Sequence, residues 1–278
     1  MITSSASGNS GTQVAGVNHS LYYPVIECSD IQDAVTVSFD GDGAVGTVSS
    51  LNGIEGSSVV LPGCSFIKKG HEFIGWTDGT ATYDALSEYT IPASDITLKA
   101  LWNETGYYKY EITEGMAAFV AKDDTSNTIA LETTGVNYLK NNEGKLFYRI
   151  NVNEIAEREL ESAKLCFYAD RAYGQDPTFR VYQITEDFDF SDISWSNIPS
   201  YNDTPILEKA YSTSGENIIQ NGKYSLIELD VLSAFSSITS EYPYLFVMIT
   251  SSAAGNKGTR IAGINYTECK PYLECQVK

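Results

Sequence analysis

Thirty-six aspartates and glutamates, two histidines and five cysteines set the chemistry this 278-residue chain could do. A pair of carboxylates cleaves a glycosidic bond at separations of roughly 5–5.5 Å or 6.5–9.5 Å. Among so many acids some pair meets that condition by accident, so acid spacing carries no signal. No Gly-x-Ser-x-Gly, no His-Glu-x-x-His and no phosphate-cradling Gly-x-x-x-x-Gly-Lys-Ser/Thr occurs. Cys28, Cys64, Cys166, Cys269 and Cys275 include no Cys-x-x-Cys pair, and His19 and His71 supply no zinc-ligand spacing. Cys269 and Cys275 flank Lys270-Pro271 and could face one another, but an odd, sparse set is not a disulfide framework. The expectation is a chain that is not an enzyme.

Two other chemistries remain. Asp187, Asp189 and Asp192 precede Trp195 and offer the oxygen ligands of a structural Ca²⁺, the one ion the sequence suggests; a solvated acidic loop is the competing reading. Asp40 and Asp42 open like a calcium loop, but Leu51 stands where the twelfth-position Glu belongs, so a turn is expected there. Sugar binding asks for an aromatic face beside planar polar groups. Loop-like segments supply Tyr138 with Asn137, Tyr173 with Arg171, and Tyr201 with Asn202. The plainer reading is that tyrosines in a Tyr-rich β protein pack or line a rim.

The formal charge of −18 makes nucleic acid a poor partner, because the phosphate term would be repulsive. No apolar run reaches the ~18 residues a membrane helix needs, so no membrane insertion is expected. The opening Met1-Ile2-Thr3-Ser4-Ser5 has neither a basic nor an apolar leader segment, and a signal peptide and an anchor are expected outside this chain.

The chain repeats itself. Residues 1–28 and 248–275 align without gaps at 16 identical positions, with Met1 on Met248 and an offset of 247 residues. The reading is a tandem array in which residues 1–29 are terminal strands of a preceding sandwich repeat, truncated here, and the neighbouring domains of the array are partners. Such arrays suit an extracellular or cell-surface location.

The elements that would position these residues are strands. Val35, Val37 and Phe39 share one face, Asp40-Gly41-Asp42-Gly43 turns, and Ile96, Leu98, Ala100 and Trp102 alternate. Trp76 and Trp102 are expected to be buried together. Beyond residue 107, strand-like runs recur at 145–151, 164–169, 178–185, 225–230, 244–250, 259–265 and 271–277, with a short helix at 231–237 and a turn at 152–158. The fold class expected is all-β: a small β-grasp-like domain over 31–103, then a jelly-roll β-sandwich over 107–278.

Both halves resemble known families. VTVSFDGDG, LPG, FIKKGHEFIGW, YTI and DITLKALW, in that order, resemble the internalin-type B-repeat, or Listeria–Bacteroides repeat, with His71 where that family has Tyr. The resemblance implies a spacer or weak contact module on bacterial surface proteins. KLFYRINVNEI, LESAKLCFYA, TFRVYQITEDFDFSDISWSNIPS, YSLIELDVLSAF, YLFVMITSS and PYLECQV resemble the DNRLRE domain, grouped with carbohydrate-binding modules. That implies a jelly-roll domain binding polysaccharide. The basic stretch of that family is reduced here to Lys145 and Arg149, which argues against an anionic ligand. Two other readings stand beside polysaccharide binding: a structural stalk or adhesin segment with no sugar site, and an accessory module of a larger polysaccharide-degrading enzyme.

Overall fold

A computed structural model describes residues 33–122, 137–171, 176–254 and 258–278. Residues 1–29, read above as strands of a preceding repeat, lie outside the described residues. The chain forms two compact units. The first takes in the described residues up to Asp42, then Gly46–Ser65 and Gly75–Leu101; the second takes in Gly43–Val45, Phe66–Ile74 and Trp102–Lys278.

Seven strands come first: β1 (Val35–Asp40), β2 (Leu51–Gly53), β3 (Ser58–Val60), β4 (His71–Thr77), β5 (Thr82–Tyr83), β6 (Glu88–Thr90) and β7 (Ile96–Glu104). They make a five-stranded sheet in the order β2-β1-β7-β4-β5 and a two-stranded ladder of β3 with β6. First and last strands are central and parallel, with Val37 opposite Ile96 and Asp40 opposite Lys99. Alternation explains the core: Val37, Leu98 and Ala100 point inward and are buried. Trp76 is fully buried; its ring lies 4.7 Å from that of Phe39, and its Nε1–H donates to the Pro62 carbonyl at 3.0 Å. The expected pairing of two buried tryptophans needs correcting. Trp102 stays half-buried, edge-on to Phe73 at 5.8 Å, because it lies past the buried stretch of β7.

The remaining strands are β8 (Tyr107–Glu111), β9 (Ala117–Ala121), β10 (Asn137–Leu139), β11 (Gly144–Asn151), β12 (Leu160–Asp170), β13 (Thr178–Gln183), β14 (Leu207–Ala210), β15 (Ser225–Asp230), β16 (Tyr244–Ser251), β17 (Thr259–Ile261) and β18 (Tyr272–Val277). They form two antiparallel sheets. The second sheet runs β14-β13-β16-β11-β9. The first is organised by β12, eleven residues long. Along one edge it pairs with β15; along the other it pairs first with β18, which carries β8, and then at Ala169 and Asp170 with β17, which carries β10. The expected helix at 231–237 is a 3-10 helix at Leu232–Ser237, and the turn at 152–158 contains another at Asn153–Ile155.

Side chains alternate as a sandwich requires. Leu165, Phe167, Ile227, Leu229, Leu273 and Cys275 of the first sheet meet Leu146, Tyr148, Phe179, Val181, Val247 and Ile249 of the second in one core. Residues between them face outward in the first sheet. The second sheet is different: its other face is also apolar. Ala118, Val120, Phe147, Phe246 and Met248 pack under Ile184, Phe190 and Ile193, with Trp195, Ile198 and Tyr201 against them. Burial on both faces is why Leu245–Ile249 reads as an unbroken apolar run rather than an alternation. Cys166, Cys269 and Cys275 are free thiols. Burial pushes the Cys166 and Cys275 thiols up to about 12, away from the thiolate that redox or metal chemistry needs.

Candidate functional site

The covered face of the second sheet supplies the floor of a cleft. The segment 184–201 roofs its middle, and where the roof ends a concavity of about 150 Å³ opens, lined by Asn141, Asn142, Gly144, Lys145, Arg180, Tyr182, Tyr201, Met248 and Thr250. Neighbouring strands place these side chains. Met248 stands opposite Phe147 on one side and Tyr182 on the other, and Thr250 opposite Arg180. Tyr201 is brought in by an isolated bridge to Ile184, and its ring meets that of Tyr182 edge-to-face at 5.5 Å.

The turn from β10 to β11 closes one end. Asn142 adopts a left-handed φ of 57°, a region Asn tolerates better than most residues. Gly144 is fixed by a close approach: a Cβ there would lie 2.9 Å from the Tyr138 carbonyl oxygen and 3.1 Å from the Phe119 ring.

Lys145 dominates the electrostatics. Its ammonium stands 5.2 Å from the centre of the Trp195 ring and 5.5 Å from that of Tyr201, a double cation–π arrangement. Partial burial lowers its pKa. Among the described residues no carboxylate lies within ion-pair reach of it, in a chain with twice as many acids as bases. Arg180 beside it is neutralised by Glu208 at 3.0 Å. The cleft therefore presents one unneutralised, partly dehydrated cation between aromatic rings. Such a group can accept a carboxylate or bridge hydroxyls while a ring edge packs on a sugar face.

The six sugar-site residues expected from sequence fall into two sets and a remainder. Tyr201 lines the cleft. Asn202 is next to it but exposed, its side-chain oxygen accepting from the Thr204 N–H at 3.2 Å as a turn cap. Asn137 and Tyr138 begin β10 in the first sheet, Tyr138 opposite Arg260. Arg171 follows β12, its Nε 2.9 Å from Asp176 as an ion pair off the line of a hydrogen bond. Tyr173 lies outside the described residues. Sequence reasoning missed Arg180 and Tyr182 because it searched loops; they sit on a strand, and their alternation with buried Phe179 and Val181 was the available signal. The cations of the cleft do not form a basic stretch in sequence: Lys145 and Arg180 converge from strands, 35 residues apart in the chain.

The structure gives the three loop aspartates separate roles instead of a shared cradle. Asp187 pairs with Arg149 at 2.5 Å, and Asp189 caps the 3-10 turn Phe190–Asp192 by accepting from the Ser191 N–H at 2.8 Å. Asp192 is exposed, and its backbone carbonyl accepts from Asn197 at 2.8 Å. Among the described residues the one grouping with metal-ligand spacing is Cys166, Glu228 and Glu274, and Lys164 already contacts both glutamates at 3.2 and 3.9 Å.

No helix among the described residues is long and apolar enough to cross a membrane. No curated protein matches the chain. Residues 36–101 match the family model of the Listeria-Bacteroides repeat domain, a module typical of surface or extracellular bacterial proteins, and that match suggests a modular protein of the bacterial cell-surface type.

Proposed function

We propose that this chain is a non-catalytic binding segment of a surface-displayed modular protein, and that its sandwich holds a carboxylate-bearing polysaccharide in the cleft of Lys145, Tyr182, Trp195 and Tyr201. The observation that carries the reading is Lys145: a cation kept without a carboxylate partner, partly out of water, above two rings. Held partly out of water, Lys145 is placed to gain from an anionic group brought to the cleft. The resemblance of residues 107–278 to the DNRLRE domain supports the same reading, and the tandem repeat would multiply weak sites along one chain.

A glycan array probed with the full chain, followed by titration of uronic-acid polysaccharides, tests this. A hydrogen-bonded ion pair with Lys145 contributes about 1.5–3 kcal/mol, so Lys145→Ala should weaken binding by roughly 10-fold or more. Tyr201→Ala should weaken it by a smaller factor, since the stacking term is on the order of 1 kcal/mol. Binding should also fall with added salt. No glycan bound, or binding untouched by both substitutions, would leave the structural stalk as the reading.

A further inference from the structure

The sandwich and the small sheet present their entry and exit strands to a pull along the chain in opposite ways. In the sandwich, entry and exit strands are β8 and β18, antiparallel neighbours. Tyr107, the first residue of β8, stands opposite Gln276, near the end of β18. The outermost fastening between these two strands is the Val277 N–H on the Gly106 carbonyl at 2.9 Å, and the Lys278 N–H bonds the Glu159 carbonyl at the same end. Tension applied through residue 106 and Lys278 therefore acts across the ladder at one end and loads a single rung at a time. Among the described residues β8 pairs with β18 alone, at the edge of the sheet.

In the small sheet the first and last strands, β1 and β7, are parallel neighbours. The chain enters at Val35 and leaves past Leu101, at opposite ends of that pair. Tension here runs along the strands and loads all the rungs from Val37–Ile96 to Asp40–Lys99 together. Val37 and Leu98, both fully buried, must slide past their neighbours at the same moment. Forced opening is governed by the barrier to unfolding. Breaking rungs in series needs a smaller barrier than breaking them in concert.

We propose that the fold sets an order of mechanical yielding: the sandwich opens first, peeling from Tyr107 and Gln276, while the small sheet, clamped by β1 and β7, holds. The sandwich is then an extensible element that shields the small sheet from load, whatever the cleft binds.

Single-molecule stretching of the full chain tests this, with one handle on an azide side chain at Asp33 and the other on a tag after Lys278. At about 3.5 Å per residue, release of residues 107–278 lengthens the chain by about 600 Å, and release of 35–104 by about 240 Å. The long step should come at the lower force. Moving the first handle to exposed Thr113, beyond the far end of β8, puts β8 and β18 in shear and should raise the force of the long step. A short step preceding the long one, or a long-step force unchanged by the new handle position, would overturn the proposal.

Discussion

Arg260 and Asp170 form the ion pair whose loss should be felt most in the sandwich. Asp170, the last residue of β12, has no solvent exposure, whereas the Arg260 side chain keeps about a third of its own. They stand opposite each other where β17 joins β12, and the guanidinium also lies 5.1 Å from the centre of the Tyr224 ring. Replacing Arg260 by Met keeps the aliphatic stem and removes the charge that faces the buried Asp170 carboxylate. Breaking a buried pair from one side costs about 3–5 kcal/mol. In a domain of this size each kcal/mol shifts the midpoint by about 2–4 °C, so Arg260→Met should lower the sandwich transition by roughly 6–20 °C. Calorimetry of the full chain supplies the control, since the transition of the small sheet should stay in place. Arg260→Gln, which puts at 260 the residue found at aligned position 13, retains a donor and should cost less. The double variant Asp170→Leu, Arg260→Met removes both charges and should recover most of the loss. A shift under about 2 °C for Arg260→Met would mean that Arg260 is not what compensates the buried Asp170 charge.

Two further outcomes follow for the small sheet. Trp76→Ala removes a fully buried ring and its hydrogen bond to Pro62, so about 3–5 kcal/mol should go and its calorimetric transition should vanish or fall steeply, while Trp102→Ala, at a half-buried site, should shift it less than half as far. The Tyr83 hydroxyl, with the Ala81 and Thr80 donors, holds the Asp78 carboxyl well below the usual range, and Tyr83 is raised to about 12 in return. A depressed carboxyl stabilises the fold above its unfolded pKa of about 4 and loses that contribution as pH falls below it. Asp78→Asn should therefore flatten the acid side of the small sheet's pH–melting curve below about pH 4, and an unchanged curve would contradict the hydrogen-bond assignment.

Strands were legible in sequence where one face is buried and the other wet. Ala163, Leu165 and Phe167 alternate in the text and lie together in the core, and the runs at 145–151, 225–230 and 244–250 are strands to within one or two residues. What escaped lacks that pattern. Ala117–Ala121 is buried on both faces and reads as a short apolar run, β10 has three residues, and β8 carries Tyr107 on its outer face beside buried Tyr108 and Tyr110, which blurs its period. The parallel β1–β7 pair joins residues about sixty apart, a separation local periodicity does not register. The site was half legible for the same reason. Tyr201 was found because it sits in a loop beside Asn202, but its neighbours Lys145, Tyr182 and Met248 come from three strands and meet only through sheet register.

That register bears on how the cleft would work. A site on loops must order its side chains when ligand arrives, losing about 0.5–1.5 kcal/mol for each immobilised side chain. Here Lys145 rises from β11, which is paired on both edges, with β9 and with β16. Tyr182 rises from β13, paired with β16 and β14 along most of its length. Trp195 and Tyr201 come from the roof, but that roof is pinned by Phe190 and Ile193, both buried against Phe246 and its neighbours. The apolar cover on the second sheet thus holds two rings still around a lysine that strand geometry has already fixed. Loosening the cover should hurt binding without touching the cleft. Phe190→Ala lies outside the lining residues, yet it frees the turn that carries Trp195. Its effect on affinity should exceed what the retained Lys145, Tyr182 and Tyr201 contacts would suggest, and a Phe190→Ala chain that remains folded and binds as well as the parent would show that the cover plays no part in the site.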